Sequence, residues 1–366
     1  MSKRGKGIDA TKLDPHMRMK APEEAGLEWH DPREGDLQVS GLAWFAQDKR
    51  YRRLPVDPAY PIRPEVSKLA DCPAGAQIRF RTDSPKVAIR AKMRGPANMN
   101  HMPATGQCGF DCYIGPFGNQ LYLSTARMSL ECVEYEATLV TLPRELRQVT
   151  LNLPLYQGLD DVRVGLVPGA KLLAPPRYAS NRRIIFYGTS ITQGGCVARP
   201  GMAYTNILSR RINAEFINLG FSGNGRGDPE VASIIAGIER PGLFVLDYEG
   251  NCLGIELLRQ TFPEFIRILR EAHPRVPILA VSQVSMARDL FYPETAEAVR
   301  VRREFQKDYV AKLRRQGDKL VFFKDGSTML GRDFHECAVD GVHPTDLGFR
   351  RIADSLEPTV RKLTGG

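Results

Sequence analysis

"RRIIFYGTSITQGG", residues 182–195, decides the fold. Two arginines lead into an apolar run, Ile184 to Tyr187, which stops at Gly188; hydroxyl residues and a glycine pair follow. A short apolar run ended by a turn signal reads as a buried strand. Downstream of it the rhythm alternates. "MAYTNILSRRI" (202–212) has apolar positions every three or four residues and predicts a helix, and "AEFINLG" (214–220) a second strand. "PEVASIIAGIE" (229–239) is a helix opened by Asp228 and Pro229, "GLFVLDY" (242–248) a third strand, and residues 254–272 are mostly helical. "PILAVSQV" (277–284) is the fourth strand, a basic helix follows, "KLVFFKD" (319–325) is the fifth strand, and a last helix runs from about Thr345 to Leu363. Strands alternating with helices predict a parallel sheet covered on both faces, an α/β domain over 182–366.

Upstream the texture is different. From about 35 to 174 short alternating runs dominate: "QIRFRTDSPKVAIRAKM" reads as strand, turn, strand, with Asp83, Ser84 and Pro85 in the turn, and "QVTLNLPLYQGLDDVRVGLV" repeats the pattern around a Gly-Leu-Asp-Asp turn. No helix-period stretch of ten residues interrupts them, so this segment is expected to be an all-β sandwich or jelly roll. Adjacent Pro175 and Pro176 mark a linker over 175–181, since proline continues neither a ladder nor a helix. Residues 1–34, polar and rich in charge, Gly and Pro, are expected to form an extended arm.

A length of 366 residues suits about two domains. Behind the basic amino terminus there is no apolar stretch of a secretory signal, and no segment has the run of about 18 apolar residues that a membrane span needs. The seven cysteines are therefore expected to be reduced thiols in a cytoplasmic protein, and no second pair of soft ligands accompanies Cys108 and Cys112 at metal-site spacing. The net charge of +9 is spread along the chain. Its densest stretch, 298–319, places Val301, Phe305, Tyr309 and Leu313 on one helix face with Arg and Lys opposite, which reads as a surface helix before a nucleic-acid contact. Neither nucleic acid nor membrane is an expected partner; homo-oligomerisation stays open.

Ligands of a doubly wound sheet bind beyond the carboxyl ends of its strands, where strand order reverses. With the flavodoxin-like order 2-1-3-4-5, three loops meet there: the one holding Ser190, "GFSGNGRG" (220–227) with Gly223, and "DYEGNC" (247–252) with Asn251. A fourth, "DGVHPTDLG" (340–348), brings Asp340 and His343 on one loop. A serine hydroxyl is a weak nucleophile unless a base takes its proton and a third group orients that base. Ser190, His343 and Asp340 offer those roles. The N–H groups of Ser190 and Gly223 with the Asn251 amide offer an oxyanion site. Each residue also has a plainer reading: Ser190 as a helix cap, His343 as a buried histidine satisfied by backbone, Asp340 as a loop former. The glycines of "GNGRG" could cradle phosphate, but no Gly-Lys-Ser/Thr motif or complete dinucleotide fingerprint accompanies them.

Taken in order and spacing, "YGTSITQGG", "GFSGNG", "EGN" and "DGVHP" resemble the blocks of the SGNH hydrolases, the GDSL esterase and lipase superfamily. The resemblance covers about 182–363. It implies a three-layer α/β/α domain in which Ser190 is the nucleophile, Gly223 and Asn251 oxyanion donors, His343 the base and Asp340 its orienter, with no cofactor or metal. This chain has Thr189 where the family usually has Asp before the serine, and Cys252 where Asp usually follows the asparagine. "GFDCYIG" (109–115) resembles the Gly-x-Asp-Leu-Tyr signature of a β domain that precedes the catalytic domain in a bacterial branch of the family, with Cys112 in place of leucine. The arrangement is also similar to carbohydrate esterases that join a jelly roll to an SGNH domain. That similarity implies a small-molecule or oligosaccharide ester as substrate, with acetyl esters of sugars first, and lipid esters or thioesters, or a carbohydrate-binding protein with a relic site, as alternatives. His101, in a long loop of the β domain, is expected to be exposed or to reach over the catalytic pocket as a substrate contact; Trp29 and Trp44 are expected to be structural.

Overall fold

A computed structural model of the chain describes residues 26–365, with Leu13, Asp14 and Met17 before them. The arm expected over 1–34 therefore lies mostly outside the described residues. By Glu28 the chain is already a strand.

The amino-terminal domain consists of strands β1 (Glu28–His30), β2 (Gln38–Ser40), β3 (Gln77–Thr82), β4 (Lys86–Met93), β5 (Asp111–Ile114), β6 (Leu121–Thr125), β7 (Glu134–Thr141), β8 (Arg147–Asn152), β9 (Leu159–Leu166) and β10 (Leu172–Leu173). They form two antiparallel sheets, β1-β9-β4-β7 and β10-β3-β8-β5-β6, with β2 added beside β3. Short helices α1 (Phe45–Asp48), α2 (Pro64–Ala70) and α3 (Ala104–Gln107) lie in the connections. Period-two burial explains the sandwich: Val87, Ile89, Ala91 and Met93 of β4 meet Ile78 and Phe80 of β3 and Val149 and Leu151 of β8 in one core. The Asp83-Ser84-Pro85 turn carries the chain from one sheet to the other, so β3 and β4 form an arch and not a hairpin. The second turn differs from the sequence expectation. Leu159, Asp160 and Asp161 already belong to β9, and the reversal lies in residues 153–158. Two adjacent acids look like a turn, but the register shift opposite Lys92 and Met93 leaves both accessible, where Arg94 pairs with Asp160 and Arg163 with Asp161.

The second domain carries β11 (Arg183–Gly188), α4 (Ser190–Gln193), α5 (Tyr204–Arg211), β12 (Glu215–Gly220), α6 (Pro229–Ala236), β13 (Pro241–Asp247), α7 (Ile255–Ala272), β14 (Ile278–Val281), α8 (Pro293–Arg315), β15 (Val321–Lys324) and α9 (Asp346–Thr364). Its sheet is parallel throughout, in the order β12-β11-β13-β14-β15. The continuous apolar run of β11 follows from burial on both faces: Ile184 and Phe186 enter one core, Ile185 and Tyr187 the other. On α8 the buried stripe is Val299, Arg302, Gln306 and Val310, with Phe305, Tyr309 and Leu313 flanking it. The apolar spacing located the face but not its two polar members. Among the described residues no helix is long and apolar enough to cross a membrane.

Candidate active site

β11 ends at Gly188, where a Cβ would stand 2.0 Å from Thr192 Oγ1, so only glycine lets the chain turn this tightly. Thr189 then caps α4: its hydroxyl accepts from Ile191 N–H at 3.2 Å, while Thr192 Oγ1 accepts from Thr189 N–H at 3.2 Å. Thr189, standing where the resembling family usually has Asp, thus serves as an N-cap acceptor, as an aspartate can. Ser190 is the first residue of α4 and sits at the carboxyl end of the central strands.

Ser190 Oγ lies 3.0 Å from His343 Nε2, and His343 Nδ1 lies 2.7 Å from Asp340 Oδ2. Asp340 Oδ1 also accepts from the backbone N–H groups of His343 (2.7 Å) and Val342 (2.9 Å). Partial burial pulls this carboxyl up, but the hydrogen bonds from the His343 ring and the two amides outweigh it and hold the group at about 2. An ionised Asp340 accepts a hydrogen bond from Nδ1–H and fixes the proton on that nitrogen, which leaves Nε2 as the bare nitrogen facing Ser190. The order of elements explains the meeting: α4 follows β11, and the 340–343 loop precedes α9, which packs beside α5.

Gly223 follows β12 with φ +67° and open space around it, so its backbone conformation and not crowding requires glycine. Ser222 N–H donates to Gln193 Oε1 at 3.0 Å, tying this loop to α4. Asn251, after β13, uses one amide N–H on Phe221 O at 3.2 Å and keeps a second for another acceptor. Beneath it Glu249 is buried, hydrogen-bonded by the Gln306 amide of α8, and raised to about 7 by burial, an effect that the nearby Arg302 opposes. Cys252 is buried in the core, so its place in the block is filled by packing.

A cavity of about 70 Å³ opens beside the serine. Ser190, Asn251 and Val342 reach its wall, and Val281, Val284, Met286, Met329, Ile352 and Leu356 make most of the rest apolar. Thr189, Gln283, Arg288 and Asp247, the last residue of β13, are further polar members of this lining. Asp247 Oδ2 accepts from Tyr204 OH (2.8 Å) and Thr192 Oγ1 (3.0 Å), and burial raises the carboxyl to about 7 against those two bonds.

The β domain builds the other side. His101 precedes α3 in a loop pinned by Gln107, whose side chain bonds Asn98 N, Met99 N, Met99 O and Met102 O. Its ring centre lies 5.8 Å from that of His343, and its Nε2 4.0 Å from Asp340 Oδ2. Tyr156 OH donates to Ser190 O at 3.1 Å. Asp111 of the "GFDCYIG" segment is fully buried at the interface and accepts from Arg199 Nη1 (2.8 Å), Gly201 N–H (2.7 Å) and Asn152 Nδ2 (2.7 Å). Arg63 clasps Asp228 through two nitrogens and Asn224 through two more bonds, and buried Arg53 reaches the carbonyls of Asn218 and Gly220. The segment around Gly223 is thus held from the other domain. Asp228, expected to open α6, makes no side-chain cap and gives its carboxylate to Arg63. Trp29 lies under Arg90 and Trp44 against the core, away from this site.

Of this machinery Tyr156, Asp247, Arg53, Arg63 and Arg199 were not singled out in the sequence. Only Asp247 left a signal, an acid at the carboxyl end of a central strand. Among the described residues Cys196, His101 and His343 have ligand atoms within 4.8 Å of one another. Both His343 nitrogens already bond Ser190 and Asp340, and burial and the Asp340 charge push the Cys196 thiol up to about 12, so a metal here would have to dismantle the serine–histidine pair.

Comparisons with known proteins agree with this architecture. Residues 181–361 match the GDSL-like lipase/acylhydrolase family, and residues 27–172 match the amino-terminal (GxDLY) domain of SGNH-hydrolase-type esterases. A crystal structure from Bacteroides ovatus described as a GDSL-like lipase is 30% identical, with a TM-score of 0.86 over 93% of this chain and 98% of that one. A salicylyl-acyltransferase from a tetracycline biosynthetic pathway is 24% identical (TM-score 0.75; 92% of this chain, 97% of that one). A family two carbohydrate esterase from Clostridium thermocellum, solved with cellohexaose, is 18% identical (TM-score 0.52; 80% and 93%); these last two likenesses show the fold alone. No curated protein matches the chain. A glycine–threonine–serine turn on a 2-1-3-4-5 parallel sheet, an amino-terminal GxDLY domain locked against it and a near-full-length relative at 30% identity place this chain in the GDSL-like lipase/acylhydrolase (SGNH) family, as a carboxylic ester hydrolase.

Proposed function

We propose that the protein is a serine esterase that cleaves a short acyl group from a carbohydrate through a covalent acyl-enzyme. The observation that carries this reading is the unbroken chain of hydrogen bonds from Ser190 Oγ through His343 to Asp340. His343 Nε2 takes the hydroxyl proton as Oγ attacks the ester carbonyl, and Asp340 steadies the imidazolium. The oxygen that becomes negative is received by the N–H groups of Ser190 and Gly223 and by the free Asn251 amide proton. His343 then returns its proton to the leaving alcohol and activates the water that releases the acid. Nothing in these steps calls for a metal or cofactor.

The carbohydrate half rests on the β-domain wall, where His101 stands over the rim, and on the fold shared with carbohydrate esterases. A lipid tail fits the site poorly. In a measure where one water needs about 10–15 Å³, the cavity holds roughly five water-sized groups. Seven free thiols, six of them buried, favour the cytoplasm as the working compartment. The test is a panel of nitrophenyl acyl esters and acylated sugars with the protein and Ser190→Ala. Hydrolysis of acylated sugars that Ser190→Ala loses supports the reading; hydrolysis confined to long-chain esters would replace it with a lipase.

A further inference from the structure

We infer that the cavity beside Ser190 is an acyl pocket for a short hydroxyacyl group, whose hydroxyl donates to Asp247. This deepens the serine-esterase reading and rests on it. An acyl group attached to Ser190 Oγ with its oxygen toward Asn251 has the cavity as its neighbour, because both residues form part of the wall. The alcohol side opens instead toward His101 and the β domain.

The cavity exceeds the needs of acetyl, which has a single carbon beyond its carbonyl. Room for roughly five water-sized groups suits an acyl of about four carbons. The buried side chains of Val281, Val284, Met286, Met329, Ile352 and Leu356 favour an apolar body. Asp247 makes the difference between one apolar acyl and another. Its Oδ2 is taken by Tyr204 and Thr192, whereas Oδ1 has no hydrogen-bond partner among the described residues, and the residue lines the cavity. A plain alkyl acyl that displaced water from this space would strand the second carboxyl oxygen against hydrocarbon, at a cost comparable to a lost hydrogen bond. An acyl with a hydroxyl on its chain supplies the missing donor. Sites built to bond a hydroxyl discriminate strongly against substrates that lack it, whereas apolar pockets barely distinguish chains differing by a methylene. Arg288 also reaches the wall but is exposed, at the solvent side of the cavity.

The experiment compares kcat/KM for p-nitrophenyl acetate, butyrate, 3-hydroxybutyrate and hemisuccinate, using the full chain. The expected result is a preference of tenfold or more for 3-hydroxybutyrate over butyrate. Asp247→Asn is not used, because a hydroxyl also accepts from an NH2. Asp247→Ala removes both carboxyl oxygens, so the acyl hydroxyl loses its partner in the wall and the ratio should collapse to about one. The wild-type ratio is informative by itself if that variant fails to fold. A wild-type ratio near one, a ratio that survives Asp247→Ala, fastest turnover of acetate, or fastest turnover of hemisuccinate (which would make Arg288 the selecting group) overturns the pocket assignment. Ser190→Ala separates the two levels. If it still hydrolyses these esters, the serine-esterase reading fails. If it is inactive while the wild type shows no hydroxyl preference, only the pocket assignment fails.

Discussion

Replacing Asp111 by alanine should loosen the two domains from each other. The carboxylate has no exposure to water and accepts three hydrogen bonds, two of them from the catalytic domain, Arg199 Nη1 at 2.8 Å and Gly201 N–H at 2.7 Å. Its removal leaves a buried N–H unpaired and a largely buried guanidinium without its counter-charge. Breaking such a pair typically costs 3–5 kcal/mol. Arg199 keeps the Tyr113 hydroxyl at 2.7 Å and its place over the Tyr122 ring, 3.8 Å from the ring centre, so the lower end, about 3 kcal/mol, is expected. Asp111→Asn preserves the shape and an acceptor for Gly201 and Arg199 but loses the charge and turns an NH2 toward the Asn152 amide donor, for about 2 kcal/mol. The assay is urea unfolding followed by fluorescence and circular dichroism. With a slope of about 3 kcal/mol per molar, Asp111→Ala lowers the midpoint by about 1 M. In a double-mutant cycle, Asp111→Ala combined with Arg199→Ala should cost at least about 1 kcal/mol less than the sum of the singles. A change under about 0.5 kcal/mol, or strict additivity, would refute the view that this motif aspartate is the interdomain lock.

Asn251→Ala should lower kcat on an aryl ester by roughly 10²–10³ with KM nearly unchanged, since its donor matters once charge develops; a raised KM with intact kcat would make it a substrate anchor. Arg63→Ala frees the segment holding Gly223 and should cost about tenfold in kcat, measured on the same ester. His101→Ala should raise KM for an acylated sugar several-fold and leave an aryl acetate within about twofold; equal effects on both would move His101 from substrate contact to support of the triad. Asp247, with its carboxyl raised by burial to about 7 in the folded chain, makes stability fall as pH rises from about 4 to 7, because the folded state binds more protons there than the unfolded one. Asp247→Asn should remove that part of the slope in denaturation curves taken from pH 4 to 8. For Asp340 the sign is opposite: its contribution is present above about pH 4 and is lost as pH falls toward 2.

The parallel sheet could be read from residues because each of its strands is a compact apolar run buried on two faces, as Ile184 to Tyr187 show, and because the blocks around Ser190, Gly223, Asn251 and His343 sit at strand ends where loops converge. The β domain was readable as alternation, but not in its pairing: β3 and β4 look like a hairpin and belong to different sheets, and Leu159 to Asp161 look like a turn and form a strand. Local propensity records neither the sheet a strand joins nor a register shift. Least visible were the polar residues that couple the domains. Arg53, Arg63 and Arg199 are three among 51 basic side chains, and only long-range folding separates them from the solvated remainder. Arg302 and Gln306 were hidden likewise, since helical periodicity marks apolar positions and these two are buried opposite Glu249.

The central claim is that Ser190 is the nucleophile of an acyl-enzyme, and intact-mass spectrometry after treatment with a fluorophosphonate tests it most directly. One phosphonyl adduct per chain, mapped by peptide sequencing to Ser190, formed with loss of esterase activity and absent from Ser190→Ala, is the predicted result. An adduct on another residue, or full esterase activity in a folded Ser190→Ala protein, would contradict it.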